Sequence, residues 1–182
     1  MPHVLTLLAP GFEEIEAITV IDLLRRAGIK VTIAGLEKES VTGSHDITVK
    51  TDRYYREIDP DMYDALFLPG GQPGTNNLKR EPVILKWVSD FYASGRLVTA
   101  ICAAPTVLLE TGIIKGKRVT SYPGEKEKFN QSTYLEEPVV EDGTIITSRG
   151  VGTAIPFALH LVSRLKDQET SGILAERIVF AS

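Results

Sequence analysis

The chain has 182 residues, 43% hydrophobic and 24% charged, with a net charge of -4 and a single cysteine. That length suits one domain spanning 1–182 with a substantial core. The acidic balance and the lack of any lysine- or arginine-rich run disfavour nucleic acid and anionic membrane as partners, and one cysteine excludes an internal disulfide.

Residues 3–9 read as a buried strand, broken by Pro10-Gly11 and two glutamates, which is not the pattern of a signal peptide. Residues 13–27 read as a helix with acids in its first turn, Arg25 and Arg26 in its last and Gly28 just beyond, ends that suit the helix dipole and a glycine cap. Residues 31–34 are a second β-rich strand. The stretch 37–64 is polar and turn-rich, with room for one short strand at 47–49. Residues 65–68 form a short apolar strand that runs into a glycine-rich loop, Pro69-Gly70-Gly71-Gln72-Pro73-Gly74. Residues 82–94 are an amphipathic helix with Val83, Ile84, Trp87, Val88 and Phe91 on one face.

Residues 97–101 are a strand and 103–111 a helix, ended by Gly112. The apolar stretch 97–109 is interrupted by Thr99, Pro105 and Thr106 and falls short of the ~18 residues of a membrane helix. Residues 119–121 are a candidate strand. The segments 139–141 and 144–147 flank Asp142-Gly143, a hairpin signal. Residues 153–166 are a helix, and a last helical stretch holds Ile173, Leu174 and Ile178. Apolar strands alternating with amphipathic helices imply an α/β fold: a mainly parallel sheet with helices on both faces. With the reducing environment that a lone cysteine fits, the expected location is cytoplasmic.

In such sheets the site forms at the carboxyl ends of the strands. Four features fall there: Glu16, Gly70-Gly71, Cys102 and Ser148-Arg149-Gly150. Cys102 has almost no loop between its strand and its helix, so the sulfur is expected at an elbow beside a helix amino end, where amides and dipole lower a thiol's pKa. A buried cysteine acting as a small hydrophobe is the plain alternative. Glu16 heads a stripe with Val20, Leu23 and Ala27. A carboxyl there is desolvated, its pKa rises, and it can serve as acid, base or donor to a thiolate. The alternative is a helix-start glutamate reaching solvent, as Glu13 and Glu14 are expected to do. Gly70-Gly71 can offer amides to an oxyanion or be a plain tight turn. No lysine-serine pair follows, which disfavours a phosphate loop. His3, His45 and His160 lack ligand spacing, so no metal is expected. Tyr122 follows a candidate strand and is within reach of the site or simply structural.

Taken together, Ala9-Pro10-Gly11-Phe12-Glu13-Glu14-Ile15-Glu16, Arg25-Arg26-Ala27-Gly28-Ile29-Lys30-Val31, Leu68-Pro69-Gly70-Gly71, Ala100-Ile101-Cys102-Ala103-Ala104-Pro105 and Thr147-Ser148-Arg149-Gly150 resemble the ThiJ/PfpI superfamily, on the branch of the parkinsonism-associated deglycase and its bacterial relatives. The resemblance covers nearly the whole chain in order. It implies a flavodoxin-like three-layer sandwich, a homodimer and no cofactor. It makes Cys102 the nucleophile, Glu16 its protonated partner, and Gly71 and the Ala103 amide the oxyanion donors, with Tyr122, Arg149, Arg26 and His45 in supporting places. Some members carry a histidine where Tyr122 stands, and some an arginine in the dimer-facing segment where His45 stands. Apolar rows on the first helix agree with a dimer: Ile15, Ile18, Ile21 and Leu24 form one and Val20, Leu23 and Ala27 another, too broad for a single sheet contact.

The implied activity is glutathione-independent conversion of methylglyoxal to lactate, or deglycation of proteins and nucleotides, so that the expected partners are small reactive aldehydes or glycated adducts. The rival is a non-enzymatic oxidant sensor or redox-regulated chaperone working through Cys102 oxidation. A cysteine peptidase stands further back, because that branch has a histidine directly after its cysteine and this chain has Ala103.

Overall fold

A computed structural model describes residues 1–180. The first strand, β1 (His3–Leu8), is buried along all but its first residue, as expected of a strand covered on both faces. Helix α1 (Glu14–Arg26) follows. Gly28, at φ 72°, takes the left-handed turn behind it, a conformation glycine adopts without a Cβ penalty. Next come β2 (Lys30–Gly35), the small hairpin β3 (Ser40–Thr42) and β4 (Thr48–Lys50), and the short edge strand β5 (Arg53–Tyr54). Strand β6 (Ala65–Leu68) leads through the glycine loop to α2 (Gly74–Lys79) and α3 (Pro82–Ala93). Strand β7 (Leu97–Ile101) precedes α4 (Pro105–Thr111). The remainder is β8 (Arg118–Val119), β9 (Thr133–Tyr134), β10 (Val139–Asp142), β11 (Ile145–Ser148), α5 (Ala154–Leu165) and α6 (Gln168–Arg177).

The main sheet runs β10-β11-β7-β6-β1-β2-β5. Every neighbouring pair is parallel except β10 with β11, the antiparallel hairpin expected around Asp142-Gly143. One face carries α1, α5 and α6 over Val4, Leu8, Ile33, Phe67 and Ile146. The other carries α3 and α4 over Leu5, Leu7, Leu66, Val98 and Ala100. This is the flavodoxin-like three-layer sandwich. Its two apolar cores follow from strand alternation, since β1 sends Val4 and Leu8 to one side and Leu5 and Leu7 to the other.

Some expectations shift. The strand at 47–49 is the second arm of the β3–β4 hairpin, whose partner pairs Val41 with Val49. The candidate strand at 119–121 pairs only over Arg118–Val119, with β9. The helix expected from 103 starts at Pro105, because proline suits the first helical position and residues 102–104 are turn.

Candidate active site

The four features singled out in the sequence fall behind β1, β6, β7 and β11, which are adjacent and parallel, so their carboxyl ends open on one edge. Cys102 leaves β7 at φ 65°, a left-handed backbone that costs a non-glycine residue about 1–2 kcal/mol. Two backbone bonds lock it there. The Cys102 amide donates to the Ser148 carbonyl at 3.0 Å, and the Tyr122 amide donates to the Cys102 carbonyl at 2.7 Å. The elbow therefore turns the side chain over the sheet edge, and the thiol is half-buried.

Glu16 is fully buried on α1. Its Oε2 accepts from the Gly70 amide at 2.9 Å, while the buried Oε1 has no conventional hydrogen-bond partner among the described residues. A methyl group built on Gly150 would lie 3.8 Å from both Glu16 Oε1 and Cys102 Sγ, so the two groups face one point above that glycine. Gly70 must lack a side chain: a Cβ there would come within 2.6 Å of Cys102 Cβ and 2.7 Å of Glu16 Oε2. Gly71, at φ 90°, turns its amide toward the sulfur from the other side of the loop.

The electrostatics revise one expectation. Burial and the adjacent Glu16, as charge and as hydrogen-bond partner, push the Cys102 thiol up to about 12, while the amides of Ala103 and Gly71 pull it down. The sequence expects a thiol below the ordinary range; desolvation and a neighbouring carboxylate outweigh the amides. Burial likewise lifts Glu16 to about 7, against hydrogen bonds from Cys102 and the Gly70 amide, with Glu13 adding to the rise. The two groups titrate as a pair. Below the lower step they hold two protons, and between about 7 and about 12 they share one.

Of the expected residues, Cys102, Glu16, Gly70, Gly71, Ala103 and Tyr122 come together. Gly70 is corrected in role, since its amide is engaged by Glu16 Oε2 and is not free for an oxyanion. Arg149, Arg26 and His45 are not brought to the thiol. The Arg149 guanidinium donates to the Glu136 carbonyl at 3.0 Å. Arg26 lies in the last turn of α1, bonded to Asp22 at 2.6 Å. His45 lies on Glu14, its amide 2.6 Å from Glu14 Oε1 and its Nδ1 3.0 Å from Oε2.

Glu14 was expected to be a solvated acid and is instead only 4% exposed. Burial alone raises its pKa, but hydrogen bonds led by those from His45 outweigh this and hold the carboxyl low. It latches residues 43–47 onto the start of α1. No periodicity marks it, because its partners lie about thirty residues away. Glu13, Glu14 and His45 bring potential metal-ligand atoms within 4.8 Å of one another, against the expectation of scattered histidines; those atoms already serve the latch. Gly150 is the other residue whose part emerges only in three dimensions, as the floor beneath sulfur and carboxyl.

A thiol carried on a strand-to-helix elbow at the edge of a doubly covered parallel sheet defines a class of α/β proteins built around one cysteine. The chain belongs to the DJ-1/PfpI family, whose profile matches residues 2–164. Protein dj-1beta of Drosophila melanogaster is 42% identical over 180 residues, 97% of this chain and 96% of the relative. The glutathione-independent glyoxalase DJR-1.2 of Caenorhabditis elegans is 37% identical over 180 residues, again 97% of this chain and 96% of the relative. The crystal structure of Drosophila melanogaster DJ-1beta superposes with a TM-score of 0.96 at 41% identity, covering 100% of this chain and 99% of that one.

Proposed function

We propose that the protein is a cofactor-independent cysteine enzyme that converts methylglyoxal to lactate without glutathione. The observation that carries this reading is the pairing of Cys102 with a buried carboxyl, Glu16, that holds its proton near neutral pH. The name of the Caenorhabditis elegans relative supports it. As the Cys102 sulfur adds to the aldehyde carbon its thiol proton passes to the Glu16 carboxylate, and the carbonyl π pair becomes an oxyanion facing the Gly71 and Ala103 amides. Glu16 protonates that oxygen to give a hemithioacetal. Its carboxylate then takes the proton from the former aldehyde carbon and returns it to the former ketone carbon, while the hydroxyl proton passes from the first oxygen to the second. The product is a lactate thioester, and water cleaves the carbon–sulfur bond to release lactate and the thiol. The balance is one methylglyoxal and one water to one lactic acid, with no external oxidant or reductant.

A steady-state assay of the purified protein with methylglyoxal and no glutathione tests this directly. Turnover is expected, and Glu16→Gln should lower it by about 10²–10⁴-fold, the usual weight of a positioned acid–base group. Glu13 is no neutral control, because it pairs with His45 and raises Glu16. The exposed Glu37→Gln serves instead and should match the wild type. No turnover, or equal effects of the two substitutions, overturns the assignment.

The homodimer rests on the first helix. Of its expected row, Ile21 and Leu24 are buried in the core, while Ile15 is 54% and Ile18 41% exposed, and Ile155 on α5, which lines one surface hollow with Ile18, is 38% exposed. An apolar patch of this kind suits a second copy of the chain. Sedimentation at micromolar protein should give twice the chain mass, and Ile18→Asp should give one.

A further inference from the structure

Tyr122 stands beside Cys102, and neither acid–base chemistry nor oxyanion binding uses it. Its backbone is held from several sides. Its amide donates to the Cys102 carbonyl at 2.7 Å, and its carbonyl accepts from Ser121 Oγ at 3.0 Å and the Glu125 amide at 2.9 Å. The residues before it are fixed too, by the Thr120 amide on Thr147 Oγ1 at 2.9 Å and by the Tyr134 hydroxyl on the Ser121 carbonyl at 3.0 Å. The ring has glycine on both sides. A methyl built on Gly124 would lie 3.3 Å from its Cε1, and one built on Gly150 would lie 3.8 Å from its Cδ2.

That second point is the one that lies 3.8 Å from Cys102 Sγ and from Glu16 Oε1. The bare Cα of Gly150 therefore floors a notch one methyl group deep. Its walls are the sulfur, the carboxyl and the aromatic ring, each at van der Waals distance from a carbon placed there. Tyr122 is 53% exposed, so it stands at the mouth of the notch while its backbone cannot swing away.

We propose that the Tyr122 ring over the bare face of Gly150 is a size filter on Cys102, passing 2-oxoaldehydes with a substituent no larger than methyl or hydroxymethyl and rejecting bulky ones. The substrate class rests on the enzymatic reading above; the control of access to the sulfur does not. The ring acts as a wall and its hydroxyl takes no part, so phenylalanine should replace it and a small residue should not. Substituents on a protein or an aryl ketone meet the ring before the aldehyde carbon reaches the sulfur.

Two ratios measured on the whole protein test this. One is kcat/KM for phenylglyoxal over methylglyoxal. The other needs no turnover: the rate of Cys102 modification by N-phenylmaleimide over that by iodoacetamide. Tyr122→Ala should raise both ratios by at least about tenfold, the scale on which a pocket wall discriminates apolar substituents. Tyr122→Phe should keep both at the wild-type value. Tyr122→Leu should fall between, and carries the test if the alanine variant does not fold. Ratios unmoved by Tyr122→Ala or Tyr122→Leu overturn the filter, and so does a shift with Tyr122→Phe as large as with Tyr122→Ala, which would make the hydroxyl the active part. If neither aldehyde is turned over yet the reagent ratio shifts as expected, the enzymatic reading falls and the filter stands. If methylglyoxal is turned over and neither ratio shifts, the reverse holds.

Discussion

Between about 7 and about 12 a single proton is shared by Glu16 and Cys102, and its position decides whether the site is a nucleophile. With the proton on sulfur, the thiol and the Gly70 amide both donate to the charged carboxylate. With the proton on Glu16, the charge would rest on a buried sulfur, and the Gly71 and Ala103 amides that face it do not offset burial and the neighbouring carboxyl. Alkylation of Cys102 by iodoacetamide should therefore still be rising with pH above the ~8.5 of a free thiol, because the thiol is pushed up to about 12. Glu16→Gln removes the neighbouring negative charge and should bring the midpoint of that rise down. A wild-type midpoint near 7, unmoved in Glu16→Gln, would instead put the charge on the sulfur and the proton on Glu16.

At the scale of elements, the legible parts were those whose signal is local. Strands β6 and β7 match their expected bounds because each is an unbroken apolar run between turn residues. Helix α1 was readable from its stripe, its dipole-matched ends and Gly28. The hairpin β3–β4 was half missed, since two three-residue strands in polar sequence carry no period. Helix α2 was missed because six residues, GTNNLK, directly behind the run Pro69-Gly70-Gly71-Gln72-Pro73 look like more loop. Within the site, Cys102, Glu16 and Gly71 were visible through their places relative to those elements. Glu14, Gly150 and the engagement of the Gly70 amide were not, because each depends on contacts between distant segments. The β6–α2 loop gives its own prediction. Gly70→Ala drives a methyl into Cys102 Cβ and Glu16 Oε2. It should abolish methylglyoxal turnover and slow alkylation at every pH, and an unimpaired Gly70→Ala enzyme would show that the loop is not packed against the thiol.

For the molecule as a whole, Glu16 ties stability to pH with an unusual sign. Its pKa is raised from 4.5 to about 7 on folding, so the folded state binds the proton more tightly than the unfolded chain. The stabilisation is full below pH 4.5 and is lost as pH rises toward 7, an effect of about 3 kcal/mol. Glu14, held low, works oppositely and loses its contribution as pH falls through its folded pKa. Urea unfolding of wild type and Glu16→Gln at pH 4.5 and 7 should show the wild type losing about 3 kcal/mol relative to the variant. A pH-independent difference would mean that Glu16 stays ionised throughout.

The elbow also makes this fold less stable than its sequence could allow. In most positions alanine outranks glycine by roughly 0.5–1 kcal/mol, because glycine has more freedom to lose. At position 102 the order should reverse. The φ of 65° burdens any residue with a Cβ, and the locked amide and carbonyl forbid relief. Cys102→Gly should therefore unfold at higher urea than Cys102→Ala, by a margin of about 1 kcal/mol, with both equally inert toward aldehydes. Selection for stability alone would put a glycine there. That a cysteine occupies the turn measures, in free energy, what its sulfur is worth to the organism that carries it.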